Sequence, residues 1–298
     1  MQLESFLNFL RFEKRYSQHT IISYQTDLEQ FSSYLDKTYK DKTSDPSIGA
    51  SEVSHFYIRS WMGQMVEEGM SPRSINRKIS ALKSFYKFLI KRGEVEKNPT
   101  LKIVSPKTSK RLPAYVEQDK MENLFSGIEF ATDFPGIRDR ILLELLYSTG
   151  MRRAELMNLR QTDLDFGHRY LKVLGKGNKE RLIPFDHKLK DNLQAYLKDV
   201  NQLFPHTEWL IVNDKGEKMA PETVYRTVKK YLSMVTTLDK RSPHILRHSF
   251  ATHLSNNGAD LNAIKELLGH SSLAATQVYT HNNIEKLKDI FKQSHPKA

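Results

Sequence analysis

The chain has 298 residues, 39% of them hydrophobic and 27% charged, enough for one large domain or two ordinary ones, each with a packed core. Its 46 Lys+Arg against 35 Asp+Glu leave a net charge of +11, which favours a polyanionic partner, nucleic acid being the commonest; an acidic membrane surface would ask for an amphipathic anchor or lipidation motif, and neither is found. Without cysteine there are no disulfides, thiolate nucleophiles or Cys-based zinc sites, and with no apolar run long enough for a signal peptide or a membrane span the expectation is a soluble cytoplasmic protein with no membrane partner.

Apolar residues at helical spacing (Leu3, Phe6, Leu7, Leu10, then Tyr24, Leu28, Phe31, Leu35) predict helices over 3–35, with Ser17 and Thr20 placed to cap the second. Residues 36–50 are polar, carry Pro46 and Gly49, and read as a loop. Helices are predicted again over 51–68 and 71–92, the latter opening on Ser71-Pro72 and closing at Gly93, before the break at Asn98-Pro99. Pro99, Pro106 and Pro113, interleaved with Lys102, Lys107, Lys110 and Arg111, predict an extended, solvated or phosphate-facing linker. The domain boundary is therefore expected at 105/106, giving domains 1–105 and 106–298. Both sides are basic: 18 basic and 12 acidic residues lie in 1–110, leaving 28 and 23 beyond. Two basic domains on a basic linker suit a clamp around one polyanion. In the second domain helices are expected over 117–127, 136–149 and from 152. Residues 169–184 alternate around GKGNK like a β-hairpin, and helical signals dominate from 221.

Four clusters carry candidate chemistry. In Thr149-Gly150-Met151-Arg152-Arg153-Ala154-Glu155, Gly150 breaks one helix and Arg152 and Glu155 share a face of the next. An arginine at a helix N-terminus faces the positive end of the dipole, and a phosphate there would reverse that penalty. At the hairpin tip lie Lys176 and Lys179, able to reach a DNA groove, with Lys176 also able to protonate a leaving oxygen. In Ser242-Pro243-His244-Ile245-Leu246-Arg247-His248, His244 and Arg247 share a face. The His244/His248 pair has zinc spacing but lacks the glutamate of the common metalloprotease motif. Last comes Gly269-His270, followed nine residues on by Tyr279. Each cluster alone also fits an ordinary protein: a surface ion pair, a polar turn, a helix with satisfied histidines, a core tyrosine.

Together they define one chemistry. Two guanidiniums can fork the non-bridging oxygens of a phosphodiester under attack, the task a divalent metal performs in many nucleases. A tyrosine hydroxyl, a weak nucleophile at its ordinary pKa near 10, can be activated by neighbouring His and Arg. A lysine can protonate the departing 5′ oxygen. The 3′-phosphotyrosyl ester keeps the bond energy, so rejoining needs no nucleotide, and no phosphate-cradling GxxxxGK[ST] is present.

The order Arg…Lys…His-x-x-Arg…His…Tyr resembles that of the tyrosine recombinases, the lambda-integrase family. STGMRRAEL, GKGNKER, SPHILRHSFATHL, GADLNAIKELLGHSSLAATQVYTH and HPKA resemble its Xer branch, and Ser17, Thr20, Tyr24, Asp27-Leu28 and SPRSINRKISALKSFYKFL resemble the branch's core-binding domain. The resemblance implies a mainly α, two-domain fold: an N-terminal SAM-like helical bundle and an α-rich catalytic domain with a small antiparallel β-sheet. It implies Arg152 and Arg247 on the scissile phosphate, Glu155 in support, Lys176 as general acid, His244 in proton transfer, His270 at the second histidine position and Tyr279 as nucleophile. Arg153 receives no role. Lys78, Lys107, Lys110, Lys179 and Arg181 are the expected DNA contacts. The segment from about Asn283 to Ala298 is expected to dock into a neighbouring subunit.

The function expected is site-specific strand exchange through a Holliday junction, with chromosome dimer resolution as the role. It needs no metal and no cofactor. The partners are a double-stranded DNA recombination site, a homo- or hetero-tetramer with a paralogue, and a DNA translocase as possible activator. The alternatives are an integrase or transposase of a mobile element, a type IB topoisomerase, and a non-catalytic DNA-binding protein.

Overall fold

The computed structural model describes residues 2–39, 48–108, 114–175, 179–269 and 293–296. The chain divides into two compact units, Met1–Arg111 and Leu112–Ala298.

The first unit is helical. α1 (Gln2–Asn8) runs into a π-helical turn (Phe9–Glu13) and is followed by α2 (Gln18–Tyr39), α3 (His55–Glu67) and α4 (Pro72–Lys91). Ser17 Oγ accepts the Thr20 amide (3.4 Å) and Ser71 Oγ that of Ser74 (3.3 Å), so each hydroxyl satisfies an amide that has no partner within its helix. Ile75, Ile79, Leu82, Tyr86 and Leu89 alternate steps of four and three, which puts them on one buried stripe of α4. They pack with Phe6, Leu10, Phe31, Ile58 and Trp61 into one apolar core.

Two departures from the sequence reading occur here. α2 continues to Tyr39, into the stretch expected to be loop, because the Tyr39 ring finds edge-on partners in Tyr34 (6.1 Å) and Tyr57 (4.7 Å). α3 begins at His55 rather than 51, since Ser54 is still extended (φ −100°, ψ 168°). Residues 98–106 lie along this same unit: the Asn98 side chain accepts the Thr100 amide (2.9 Å), Arg59 donates to the Lys102 carbonyl (3.1 Å), and Asn76 to that of Pro106 (2.9 Å).

A buried polar group ties α2 to α4. Asp27 accepts hydrogen bonds from Lys78 Nζ and Arg77, both 2.9 Å, and Lys78 also donates to Gln30. Lys78, expected on DNA, is 4% exposed with its ammonium spent on Asp27; desolvation makes that pairing obligatory and turns it away from any phosphate.

In the second unit, α5 (Gln118–Ser126) and α6 (Phe134–Thr149) lead into the short α7 (Arg153–Asn158) and a 3₁₀ turn (Gln161–Asp163). A three-stranded antiparallel sheet follows, ordered β1 (Leu164–Asp165), β2 (Tyr170–Leu174), β3 (Glu180–Pro184). Then come α8 (His187–Leu203), α9 (Pro221–Val235), α10 (Pro243–Asn256) and α11 (Leu261–Leu268). α6 lies at the centre: every residue from Ile141 to Thr149 is buried, so its apolar surface goes nearly all the way round. β2 and β3 are the expected hairpin, with Leu171 opposite Ile183 and Val173 opposite Arg181. β1 and α8 are additional to the elements expected. Ser294 and His295 are buried in this unit: Asn257 donates to the Ser294 carbonyl (2.8 Å), and the His295 ring lies 5.4 Å from Tyr147 and 5.5 Å from Phe250. Of the segment expected to dock on a neighbour, only 293–296 is described, and it packs on its own unit.

Replacing one member of a buried ion pair strands the other. Asp27→Ala is expected to destabilise the first unit by about 3 kcal/mol, and Asp27→Leu with Lys78→Met by much less. Urea unfolding of the full chain in a Trp209→Phe background, where Trp61 is the remaining tryptophan, checks both by fluorescence; an Asp27→Ala midpoint equal to that of the same background without it would contradict the assignment.

Candidate active site

α6 ends at Gly150 in the left-handed region (φ +59°), where a side chain would also come within 2.4 Å of the Phe250 ring. This sharp exit sets Arg152 as the N-cap of α7, with Glu155 three residues on. The Glu155 carboxylate reaches back to accept the Arg152 amide (2.7 Å) and one Arg152 guanidinium N–H (2.8 Å). From the opposite side, Arg181 on β3 forks both carboxylate oxygens at 3.0 and 2.8 Å. Burial pushes this carboxyl up, but the hydrogen bonds and charge of Arg181, with the help of Arg152, outweigh it and hold Glu155 below the ordinary glutamate range.

Arg247 comes from α10. It is 8% exposed and donates to the carbonyls of Gly150 and Leu268, both at 2.6 Å. Desolvation first, then the nearby positive charges of Arg152 and Arg181, lowers its pKa to about 10, so it stays cationic at neutral pH. α11 closes the site. Its last carbonyls are each taken by a different arginine: Leu267 by Arg181 (2.8 Å), Leu268 by Arg247 (2.6 Å) and Gly269 by Arg152 (3.2 Å). Gly269 is left-handed (φ +64°), and an added Cβ would lie 3.1 Å from Arg181. Three guanidiniums therefore surround one carboxylate and the negative end of a short helix. The excess is positive, and the Arg152 side chain, 33% exposed, brings it to the surface.

Of the residues singled out by sequence, the structure brings Arg152, Glu155, Arg181 and Arg247 into one network. His244 stands exposed on α10, one turn before Arg247, and His248 is half-buried. His253 turns into the core, 2.8 Å from the Tyr147 hydroxyl. Lys107 and Lys179 are exposed, and the Lys179 carbonyl accepts the Gly175 amide (2.7 Å) at the neck of the hairpin. Arg153 donates to the Pro221 carbonyl (3.3 Å), which ties α7 to the start of α9. Lys110, Lys176, His270 and Tyr279 lie outside the described residues. Arg181, expected on DNA, is 4% exposed and fully engaged inside; an arginine on the core face of a hairpin is tolerable only with such partners. The sequence reading missed the use of the α11 carbonyls as arginine acceptors.

An arginine cluster that reaches the surface at Arg152, carried by a helical unit with a small antiparallel sheet, is a set of donors of the kind that suits a phosphodiester. The family model described as "Phage integrase family" matches residues 114–286, and "Phage integrase, N-terminal SAM-like domain" matches 3–93. The chain is 36% identical over 318 residues to a tyrosine recombinase XerC of Chlorobaculum parvum, spanning 99% of this chain and 94% of that one. It is 38% identical over 309 residues to that of Pelotomaculum thermopropionicum, spanning 100% and 99%. A crystal structure of XerH site-specific recombinase bound to difH substrate shares the fold at 23% identity and a TM-score of 0.70, covering 96% of this chain and 82% of that one. The chain belongs to the phage integrase family, the tyrosine recombinases, and is of the Xer type. It is an enzyme that breaks and rejoins DNA strands at specific sites.

Removing the shared carboxylate charge leaves the buried Arg181 facing Arg152 and Arg247. Glu155→Gln is expected to cost about 3 kcal/mol at neutral pH. Because the folded-state pKa of Glu155 is depressed, its contribution is complete above the unfolded glutamate value of about 4.3 and is lost as pH falls through the lower folded value. The gap between wild type and variant should therefore be constant at neutral pH and begin to narrow as pH falls below about 4.3, as read from urea midpoints taken between pH 7 and pH 3; a gap unchanged with pH would refute it.

Proposed function

We propose that the chain carries out strand exchange with Arg152 and Arg247 on the scissile phosphate and Tyr279 as nucleophile. The tyrosine oxygen bonds to phosphorus, the P–O bond to the 5′ carbon's oxygen breaks, and that oxygen takes a proton from Lys176. His244 and His270 serve proton transfer and the phosphate, while the tyrosine proton leaves to a neighbouring base. The observation that carries this reading is the arginine pair: Arg152 and Arg247 converge from α7 and α10 on adjacent carbonyls at the end of α11, one and two residues before His270. Lys107 and Lys179, both exposed, are suited to backbone phosphates, as is Lys110 by its place in the linker; Lys78 and Arg181 are not.

The relatives named XerC align over 94–99% of their own lengths, which favours a chromosomal Xer role, the resolution of chromosome dimers, over that of a mobile-element integrase. Structural neighbours include a lambda integrase tetramer bound to a Holliday junction, at 18% identity and a TM-score of 0.68. By analogy we assign this chain double-stranded DNA and a tetrameric synapse, built from one protein or two paralogues; the Xer resemblance, not this neighbour, adds a DNA translocase as a possible activator. No described helix is long and apolar enough to cross a membrane, and the proposed setting is the cytoplasm.

A nicked suicide DNA carrying a candidate recombination site tests the assignment. In EDTA, wild type should give a protein–DNA adduct that survives denaturation, and Tyr279→Phe none. Arg247→Ala should slow adduct formation by roughly 10²- to 10³-fold, the loss typical of one transition-state donor. An adduct formed equally by Tyr279→Phe would remove Tyr279 from the mechanism.

A further inference from the structure

We propose that Arg181 is a positioning residue for strand cleavage, joining the β2–β3 hairpin, the Glu155–Arg152 pair and the end of α11 into one rigid unit. The inference rests on the phosphate-binding roles proposed above for Arg152 and Arg247.

Arg181 sits opposite Val173 and shares the inward face of β3 with Ile183. A core-facing arginine at that register has a high desolvation penalty, which an apolar residue would avoid. Its three nitrogens are instead spent on two separate elements. Nη1 and Nη2 fork the Glu155 carboxylate on α7, and Nε donates to the Leu267 carbonyl on α11. Its strand begins at Glu180, four residues after Lys176 in the sequence. Three parts of the proposed machinery thus meet on one side chain: the strand after Lys176, the carboxylate that orients Arg152, and the helix end before His270. Close packing leaves little slack here. Gly269 and Gly175 both lie against the Arg181 guanidinium, where an added Cβ would stand 3.2 and 3.6 Å from Nη1.

The planar guanidinium suits this task and an ammonium does not. Lysine can neutralise Glu155, but it cannot fork both oxygens while also donating sideways to a carbonyl. A misplacement of Arg152 by a fraction of an ångström would then weaken transition-state binding while leaving most DNA contacts intact.

The test compares wild type, Arg181→Lys and Tyr279→Phe as full chains on the nicked suicide substrate. DNA affinity and the single-turnover adduct rate at saturating DNA are measured separately. For Arg181→Lys we expect affinity within about 3-fold of wild type and an adduct rate lower by roughly 100-fold. Combining it with Arg152→Lys should add no more than about 3-fold beyond the slower single variant, since Arg181 acts through Arg152. Should Arg181→Lys melt below the assay temperature, Glu155→Asp keeps every charge, withdraws the carboxylate by one methylene, and should give the same split. The inference is overturned if the rate stays within 3-fold of wild type, if the loss falls on affinity instead, or if the two variants' effects multiply. Those results would leave the dependence on Tyr279 intact. A wild-type adduct that persists in Tyr279→Phe would instead overturn the residue roles, and this inference with them.

Discussion

Everything in the arginine cluster turns on one buried carboxylate. Glu155 lies beneath three guanidiniums, two of which it holds directly. Burying a carboxylate or a guanidinium alone is prohibitively unfavourable, and three guanidiniums so close together would repel one another. Glu155 resolves both problems because each of its oxygens accepts from both Arg152 and Arg181, counting the Arg152 main-chain amide. The remaining donors need acceptors that bring no further negative charge, or the site would lose its attraction for an anion. The carbonyls of Gly150, Leu267, Leu268 and Gly269 fill that need, since they are dipoles rather than charges.

That use of carbonyls also explains the packing around the site. A helix leaves its last carbonyls without partners inside the helix, and α11 is short, so this unsatisfied end is a large part of it. Burying such an end against apolar side chains would be costly. Against arginines it is favourable twice over, through hydrogen bonds and through the negative end of the helix dipole. Both hinges of the arrangement are glycines in the left-handed conformation, Gly150 at the end of α6 and Gly269 at the end of α11. A Cβ at the first would strike Phe250, and at the second would press on Arg181, so tight turning and close packing are demanded at the same positions.

Much of this was legible in the sequence, in proportion to how local its cause was. Ser71-Pro72 before the α4 stripe, Gly150 after the apolar run of α6, and the alternation around GKGNK each carry their own local cause, and the corresponding elements stand where expected. α8 had a similar signal, with Leu189, Leu193, Tyr196 and Val200 at helical spacing behind the Asp186 cap, and that signal went unread. β1, only two residues long, is too short to show any alternation and exists only because β2 offers it an edge. The pairing of Arg152 with Glu155 followed from their spacing, that of Arg152 with Arg247 from the chemistry of a phosphate, and the place of Glu155 beneath both only from the family resemblance, whereas the inward turn of Lys78 and Arg181 followed from none of these. Positive charge was read as an outward face. The parity that places Arg181 with Ile183 was present in the hairpin, but only the contact with Glu155, 26 residues away, shows why an arginine can occupy it.

The same geometry explains how one cage can be stable when empty and still bind an anion. A guanidinium has five N–H donors in a fixed plane. Arg247 commits one N–H from each terminal nitrogen to a carbonyl, and Arg152 divides its contacts between Glu155 and Gly269. Each keeps further donors whose directions are already set by those commitments. In the role proposed for Arg152, a phosphate would therefore meet oriented donors and need not reorganise the site. Such preorganisation is the condition under which electrostatic stabilisation of a transition state is strongest. The low dielectric that makes Glu155 indispensable would also strengthen the pull of the arginines on the oxygens of a phosphate in that proposed role. Stability and reactivity here have one source: charges held in place before the substrate arrives.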